Sequence, residues 1–189
     1  RRKIMSVAVV ITIQILMILV NAFFAGTEIA VISLNQTRLR KEADDGDKVA
    51  KKLVKMVDNP SSFLSTIQIC ITLAGFLGAA FSANELSEHL ADGFVRLGLN
   101  WNYTVLNTIS VVLITIIISF FTLIFGELVP KRIAQQKANA WARAAISVLG
   151  GLSIFFKPMI WLLSKCTNII LKLMHLNTDG EEEKVTEED

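Results

Sequence analysis

The chain has 189 residues, 52% of them hydrophobic, and a mean hydropathy of +0.52, which is too apolar for an ordinary soluble domain. Its charges gather in blocks between long apolar runs, the pattern of an integral membrane protein. The net charge of +2 comes without a basic aromatic patch, so we expect no nucleic-acid partner.

The first predicted span covers residues 4–25, about the length that crosses a bilayer core. This run is too long for a cleaved signal peptide and lacks a small-residue cleavage site. The helical pattern continues through residues 27–34, with Glu28 as the only charge before Arg38. Asn21, Glu28 and Ser33 are polar groups at depths where side chains normally face the bundle interior.

The charged residues 37–58 follow, and their weak amphipathic period predicts a helical cytoplasmic loop. Pro60 then marks a helix start, and residues 63–81 form the second predicted span. This span is rich in small and polar residues: Ser65, Thr66, Gln68, Thr72, Gly75, Gly78, Ala79 and Ala80. Such a face either packs closely on a neighbouring helix or lines a polar site, and the sequence leaves both open.

Residues 82–102 are predicted to be a loop that ends in the interfacial aromatics Trp101 and Tyr103. The third predicted span, residues 105–125, leads directly into Gly126, Glu127 and Pro130. A carboxylate at the end of a membrane span is costly unless it has a cation, a proton or a paired charge.

Pro130 removes a backbone donor and clashes with the carbonyl of Gly126, so we expect a helix bend and a carbonyl free to face a cavity. A free carbonyl beside the Glu127 carboxylate is a ligand set for a hard cation. The alternative is a helix end at which Glu127 is solvated and Pro130 is a stop.

Residues 141–176 are apolar but interrupted by Gly150-Gly151 and Lys157-Pro158. They predict two amphipathic helices in the membrane interface or around the bundle, with one kinked fourth span as the alternative. The predicted organisation is a three-span bundle over residues 1–140, juxtamembrane helices over residues 141–176 and an acidic linker over residues 177–189.

Orientation follows from the basic segments after the first and third spans, which place the N-terminus outside and the C-terminus in the cytoplasm. Residues 28–33 and 126–131 then lie at the same, cytoplasmic side. Hydroxyl, carboxylate and carbonyl oxygens there suit Mg²⁺, Na⁺ or Ca²⁺ better than Zn²⁺. No nucleophile with a base and no Gly-rich phosphate loop is present, so we do not expect an enzyme.

Three segments resemble the signature segments of the CorC/cyclin M membrane domain: FFAGTEIAVISLNQTRLR at residues 23–40, SSFLSTIQICITLAGFLGAAFS at residues 61–82 and FGELVPKRIA at residues 125–134. The acidic tail resembles the lead-in to that family's cytoplasmic CBS domains. The resemblance implies an all-α homodimer in the plasma membrane, with three transmembrane helices per subunit and a belt of juxtamembrane helices. It also implies Mg²⁺ export driven by Na⁺ entry.

In this family Mg²⁺ is held by serine, glutamate and backbone oxygens, which implies Ser33 and Glu127 as ligands here. The further candidate ligands are Gly126, Thr72, Gly75, Ser65 and Asn84. Glu28 matches the acid of the first segment and, with Thr66 and Gln68, is assigned to Na⁺ or to structure. Cys70 stands where bacterial members often have glycine. The alternative function is a membrane anchor that dimerises and senses Mg²⁺ or regulates other transporters.

Overall fold

The computed structural model describes residues 6–99 and 101–174, which are helical and contain no strand. Three stretches are long and apolar enough to cross a membrane: Val7–Ile32, Phe63–Arg96 and Tyr103–Gln136. The predicted all-α integral membrane fold with three spans is confirmed. The acidic linker predicted at residues 177–189 lies outside the described residues.

The first helix, α1, runs from Val7 to Ile32 and begins at Ser6, whose hydroxyl accepts a hydrogen bond from the backbone N–H of Val9. It continues through Glu28, as the apolar spacing predicted. Ser33 follows as the C-terminal cap, and its backbone N–H donates to the carbonyl of Ile29.

The charged segment after α1 forms two helices, α2 (Gln36–Asp44) and α3 (Lys48–Asp58), which pack against each other. Gly46, in the turn between them, has a φ of 102°, a left-handed conformation that favours glycine. Asp47 caps α3 by accepting hydrogen bonds from two backbone N–H groups. The prediction of a helical segment is confirmed, and we call α2 and α3 together the helical hairpin.

Helix α4 runs from Pro60 to Arg96, and the loop predicted for residues 82–102 is therefore wrong over residues 82–96. The acidic residues there suggested a loop, but Ser82, Ser87 and Ala91 are buried along this part of the helix. A helix of this length extends about 55 Å, longer than a bilayer core of about 30 Å, so part of it projects into the polar phase. Asn84 accordingly lies on a helix.

The third span consists of α5 (Tyr103–Leu123), a π-helical turn (Ile124–Leu128) and α6 (Val129–Gln136). The helix does not stop at Pro130, so the alternative reading of Pro130 as a stop is wrong. The π turn ends at Leu128, two residues before the proline, and its wider spacing relieves the clash that an α-helical Pro130 would make with the carbonyl of Gly126.

Helices α7 (Ala138–Phe155) and α8 (Lys157–Leu173) follow, with a bend of 71° between them. Two helices were predicted here, and the break falls at the predicted Lys157-Pro158. Gly150-Gly151 does not interrupt α7. By length and composition the pair forms at most one further, bent span, and its place in the membrane interface stays a prediction.

The contacts divide the chain into two compact units. The first comprises Arg1–Ser33 and Ile69–Trp141, and the second comprises Leu34–Gln68 and Ala142–Asp189. In the first unit α1 packs against the π turn and α6. We call these the span unit and the hairpin unit.

Candidate cation site in the span unit

The π turn is fixed to α1 by one buried amide. Asn21 is only 5% exposed, and its Nδ2 donates to the carbonyl oxygen of Gly126 over 3.1 Å. Gly126 permits this approach because a Cβ there would lie 3.2 Å from the same nitrogen. The Gly126 carbonyl, which was predicted to be free, therefore has a partner.

The side-chain oxygen of Asn21 differs from its nitrogen. This atom, Oδ1, is buried without a hydrogen-bond partner among the described residues. An unsatisfied buried acceptor costs about 1–3 kcal/mol, so such an atom calls for an explanation. A cation or a bound water would supply one.

Glu127 follows Gly126 and forms an ion pair with Lys131, whose Nζ lies 2.9 Å from Oε1 of Glu127. The same ammonium lies 3.2 Å from Oε2 of Glu28 on α1. One lysine thus bridges two carboxylates from different helices, and we call these three residues the acidic bridge. It carries a net charge of −1.

A cavity of about 390 Å³ lies beside this bridge, between α1, α4, α5 and the π turn. Glu127 contributes to its wall together with Thr72 and Gly75 of α4. These three are predicted site residues that the structure brings together. The full set of polar side chains in the wall is Gln14, Asn21, Thr72, Ser119, Thr122 and Glu127.

Gln14 links the helices that form the cavity wall. Its Oε1 accepts a hydrogen bond from the Ser82 hydroxyl over 2.8 Å, and its Nε2 donates to Thr122 Oγ1 over 3.4 Å. Because both ends of this amide are engaged, Gln14 positions α4 and α5 against α1. A Cβ on Gly78 would come within 3.1 Å of its Oε1, which explains the small residue there.

Sequence reasoning missed Gln14, Ser119 and Thr122. A signal was available, because Gln14, Asn21 and Glu28 are each seven residues apart and so lie near one face of α1. On the third span, Thr122 and Gly126 are four apart and also share a face.

The other predicted residues lie elsewhere. Ser33 is exposed at the end of α1, and Asn84 is exposed on α4, where its backbone carbonyl accepts a hydrogen bond from Ser87. In the hairpin unit Ser65 is half-buried, Thr66 is buried and Gln68 is exposed. No cluster of three His, Cys, Asp or Glu side chains able to hold a metal occurs in the described part of the chain.

A second contact fixes α1 next to Glu28. The indole Nε1 of Trp141 donates to Thr27 Oγ1 over 3.1 Å, and that hydroxyl donates to the Phe23 carbonyl over 2.7 Å. The Trp141 ring also covers Gly26, where a Cβ would lie 2.5 Å from a ring carbon. The segment around Glu28 is therefore held by close packing as well as by its ion pair.

Comparison with known proteins identifies the type of chain. Residues 12–189 match the family described as the cyclin M transmembrane N-terminal domain. The UPF0053 protein sll0260 of Synechocystis is 32% identical over 173 residues, which are 92% of this chain and 38% of that protein.

Two further relatives have descriptive names. The polyamine export protein of Haemophilus influenzae is 26% identical over 173 residues, 91% of this chain and 39% of that protein. The UPF0053 inner membrane protein YfjD of Escherichia coli is 28% identical over 160 residues, 85% of this chain and 34% of that protein. The chain thus spans less than two fifths of the length of these relatives.

Proposed function

The chain belongs to the cyclin M transmembrane N-terminal domain family, and from this premise we propose that it is the membrane domain of a Mg²⁺ exporter driven by Na⁺ entry. The coarser statement, a membrane transporter domain, rests on the family and on relatives named for export. The inner-membrane relative supports a plasma-membrane location. We propose no enzymatic activity.

The observation that carries the proposal is the combination of the acidic bridge with the unpartnered oxygen of Asn21. Glu127 and Asn21 line one cavity, in which Glu127 is the charged wall residue. Asn21 Oδ1 is buried and has no hydrogen-bond donor among the residues that the structure describes. A net negative charge beside neutral oxygens attracts a hard cation. Thr72, Ser119 and Thr122 add hydroxyl oxygens to the same wall.

The size of the cavity suits an ion that keeps much of its water. Mg²⁺ dehydrates reluctantly and is usually held by one or two carboxylates plus water. Six waters occupy about 180 Å³ at about 30 Å³ each, which fits within the 390 Å³ observed. One carboxylate and neutral oxygens give modest affinity, which permits release.

Lys131 gives the site a counter-charge for its empty state. Its ammonium is held by Glu28 as well as Glu127, so it keeps one carboxylate partner when a cation takes the other. In this proposal Mg²⁺ and Na⁺ compete with Lys131 for Glu127, and Glu28 retains the lysine. The remaining predicted ligands are not brought together by this arrangement and stay predictions: Ser33, Ser65, Asn84 and the Gly126 carbonyl.

A polyamine is the second candidate cargo, because Lys131 shows that the bridge accepts an alkylammonium group between two carboxylates. Two relatives are named polyamine export protein, at 26% and 25% identity. The earlier alternative, a membrane anchor or sensor, requires neither the cavity nor its polar wall. Homodimerisation and cytoplasmic CBS domains remain proposals about the longer protein.

The test is flux from proteoliposomes that contain the full-length protein, are loaded with Mg²⁺, spermidine or both, and are given an inward Na⁺ gradient. We expect Mg²⁺ efflux that requires Na⁺ and that spermidine inhibits weakly. Efflux of spermidine without Mg²⁺ efflux would favour the second cargo. If the full-length protein moves neither, the transporter proposal fails and the anchor is favoured.

A further inference from the structure

A row of lysines lies on α3 in the hairpin unit. Lys51, Lys52 and Lys55 follow Lys48 at helical spacings of three, four and seven residues, and all four side chains are exposed. At 100° per residue they fall within an arc of about 100° on one face of the helix. We call this set the lysine row.

The opposite face of α3 is already used. Ala50 and Leu53 are completely buried, and α3 packs against α2, whose Leu39 and Ala43 are also buried. The apolar side of the helix is therefore not free to insert into a bilayer. What α3 offers to its surroundings is its charged side.

Three acidic residues of the hairpin, Glu42, Asp47 and Asp58, are paired with arginines. Nε of Arg38 lies 2.8 Å from Oε1 of Glu42, and Nη2 of Arg40 lies 2.5 Å from Oδ1 of Asp58. Arg143 of α7 reaches Asp47 at 2.8 Å and Glu42 at 2.6 Å. In the described part of the chain no ion pair involves the lysine row.

Four like charges three and four residues apart repel one another and weaken the helix that carries them. An anionic partner removes this repulsion. The row is therefore a charged surface without an ion-pair partner among the described residues of the hairpin unit, and a partner that complements its charge would be negative.

The position of α3 in the chain indicates which partner. It ends at Asp58, and the second membrane-length stretch begins at Phe63, eight residues after Lys55. The first such stretch ends at Ile32, shortly before α2 begins at Gln36. Short tethers thus attach both ends of the hairpin to membrane spans. Anionic lipids attract basic juxtamembrane helices within about one Debye length, roughly 8–10 Å.

We propose that the lysine row binds the anionic phospholipid headgroups of the membrane that the chain spans. This binding anchors the hairpin to the membrane surface through charge alone, without insertion. It does not depend on which ion the span unit carries.

The test compares lysine acetylation rates, read by mass spectrometry, for the 189-residue chain in phosphatidylcholine nanodiscs with and without phosphatidylglycerol. We expect acetylation of the four row lysines to be about fivefold slower with phosphatidylglycerol, and the difference to disappear at high salt. Lys137 is exposed, lies outside the row and controls for the altered pH near a charged surface. The acetylation rate of Lys137 is expected to change much less between the discs with and without phosphatidylglycerol.

A matched pair of variants tests the same point by thermal unfolding. Phosphatidylglycerol is expected to raise the Tm of the wild type and of a control that loses four charges elsewhere (K41Q/R132Q/K137Q/K157Q). It is expected to leave the Tm of K48Q/K51Q/K52Q/K55Q unchanged. An equal rise in the α3 variant overturns the proposal.

Other partners give different acetylation results, and each overturns the proposal. Protection that is equal in both disc types and lost on removing residues 177–189 would assign the row to the acidic tail. Equal protection by soluble glycerol phosphate would assign it to a free anion. No protection under any condition would leave a solvated surface.

Discussion

Each of the two compact units contains a cation that bridges two carboxylates, yet the two clusters differ in charge. In the span unit Lys131 lies between Glu28 and Glu127, and the group has a net charge of −1. In the hairpin unit Arg143 lies between Glu42 and Asp47, and Arg38 also pairs with Glu42. That second cluster has two cations for two anions and is neutral.

The difference indicates the role of each cluster. Arg143 and Arg38 form a network with Glu42 and Asp47 whose hydrogen bonds fix helices, as structural ion pairs do. The acidic bridge lies on membrane-length helices, where an uncompensated charge is expensive and is normally functional. Its missing positive charge, beside a cavity, is what a transported cation would supply.

The largest contrast is expected when one acid of each cluster is neutralised. Glu127→Gln removes the charged ligand of the cavity, and the loss of a charge-assisted contact of about 1.5–3 kcal/mol lowers Mg²⁺ affinity about ten- to a hundredfold. Glu42→Gln, the matched change in the hairpin unit, is expected to leave Mg²⁺ flux in proteoliposomes close to wild type. An equal loss of Mg²⁺ flux in Glu127→Gln and Glu42→Gln would show that the two clusters do not differ in function.

Removal of the bridging cation is the next largest effect. Lys131→Met leaves Glu28 and Glu127 facing each other without a positive charge, and we expect destabilisation of about 1–3 kcal/mol, below the value for a fully buried pair because these side chains are 24–38% exposed. Mg²⁺ should then raise the Tm more in Lys131→Met than in wild type. Lys131→Arg keeps the charge and serves as the control. A Tm insensitive to Mg²⁺ in the methionine variant would contradict competition between lysine and cation.

A substitution at Asn21 tests whether this residue is a ligand of the cation. Asn21→Leu removes both the donor to the Gly126 carbonyl and the unpartnered oxygen, so the stability loss should be small, about 1 kcal/mol, while Mg²⁺ affinity falls. Asn107 provides a matched control, because its Oδ1 is also buried without a partner in the described part of the chain but Asn107 does not line the cavity. Calorimetry on Asn107→Leu should show wild-type affinity. A comparable fall there would mean that packing, and not a ligand, was lost.

The smallest effect is a pH dependence confined to the hairpin unit. Hydrogen bonds from Arg38 and then from Arg143 hold the pKa of Glu42 below its usual value. Arg143, followed by the backbone N–H groups of Ala50 and Val49, does the same for the pKa of Asp47. Since both pKa values are lower in the folded state, the stabilisation is present above the ordinary carboxyl pKa and is lost as the pH falls through the lowered values.

This pH dependence is measured by hydrogen exchange of the hairpin backbone between neutral and acidic pH. Protection should decrease on acidification in the wild type. Arg143→Gln should show weaker protection at neutral pH and a smaller decrease. An unchanged decrease in that variant would show that other groups titrate.

The spans themselves were predictable from the sequence, because a run of about twenty apolar residues is long enough to cross a bilayer and has few alternative structures. The wrong loop prediction at residues 82–96 has a physical cause. These residues are polar, which is typical of a segment outside a helix. Burial of Ser82, Ser87 and Ala91 keeps the helix continuous there, and burial depends on neighbours distant in sequence.

The candidate site was predictable only in part, for a similar reason. Glu127 and Pro130 are conspicuous in an apolar run, so the π turn region was found. That Lys131 pairs with Glu28 depends on how α1 meets α6, and that Gln14 links three helices depends on contacts 68 and 108 residues apart in sequence. The seven-residue spacing on α1 was the sequence signal for this polar face.

The most direct test of the central claim is calorimetric titration of Mg²⁺ into the purified wild-type chain and Glu127→Gln, with and without Na⁺. Saturable binding that Na⁺ weakens in the wild type, and that is about ten- to a hundredfold weaker in the variant, is the predicted result, and it would place the cation at the acidic bridge. Unchanged affinity in Glu127→Gln, or no binding in either chain, would contradict a cation site at this position.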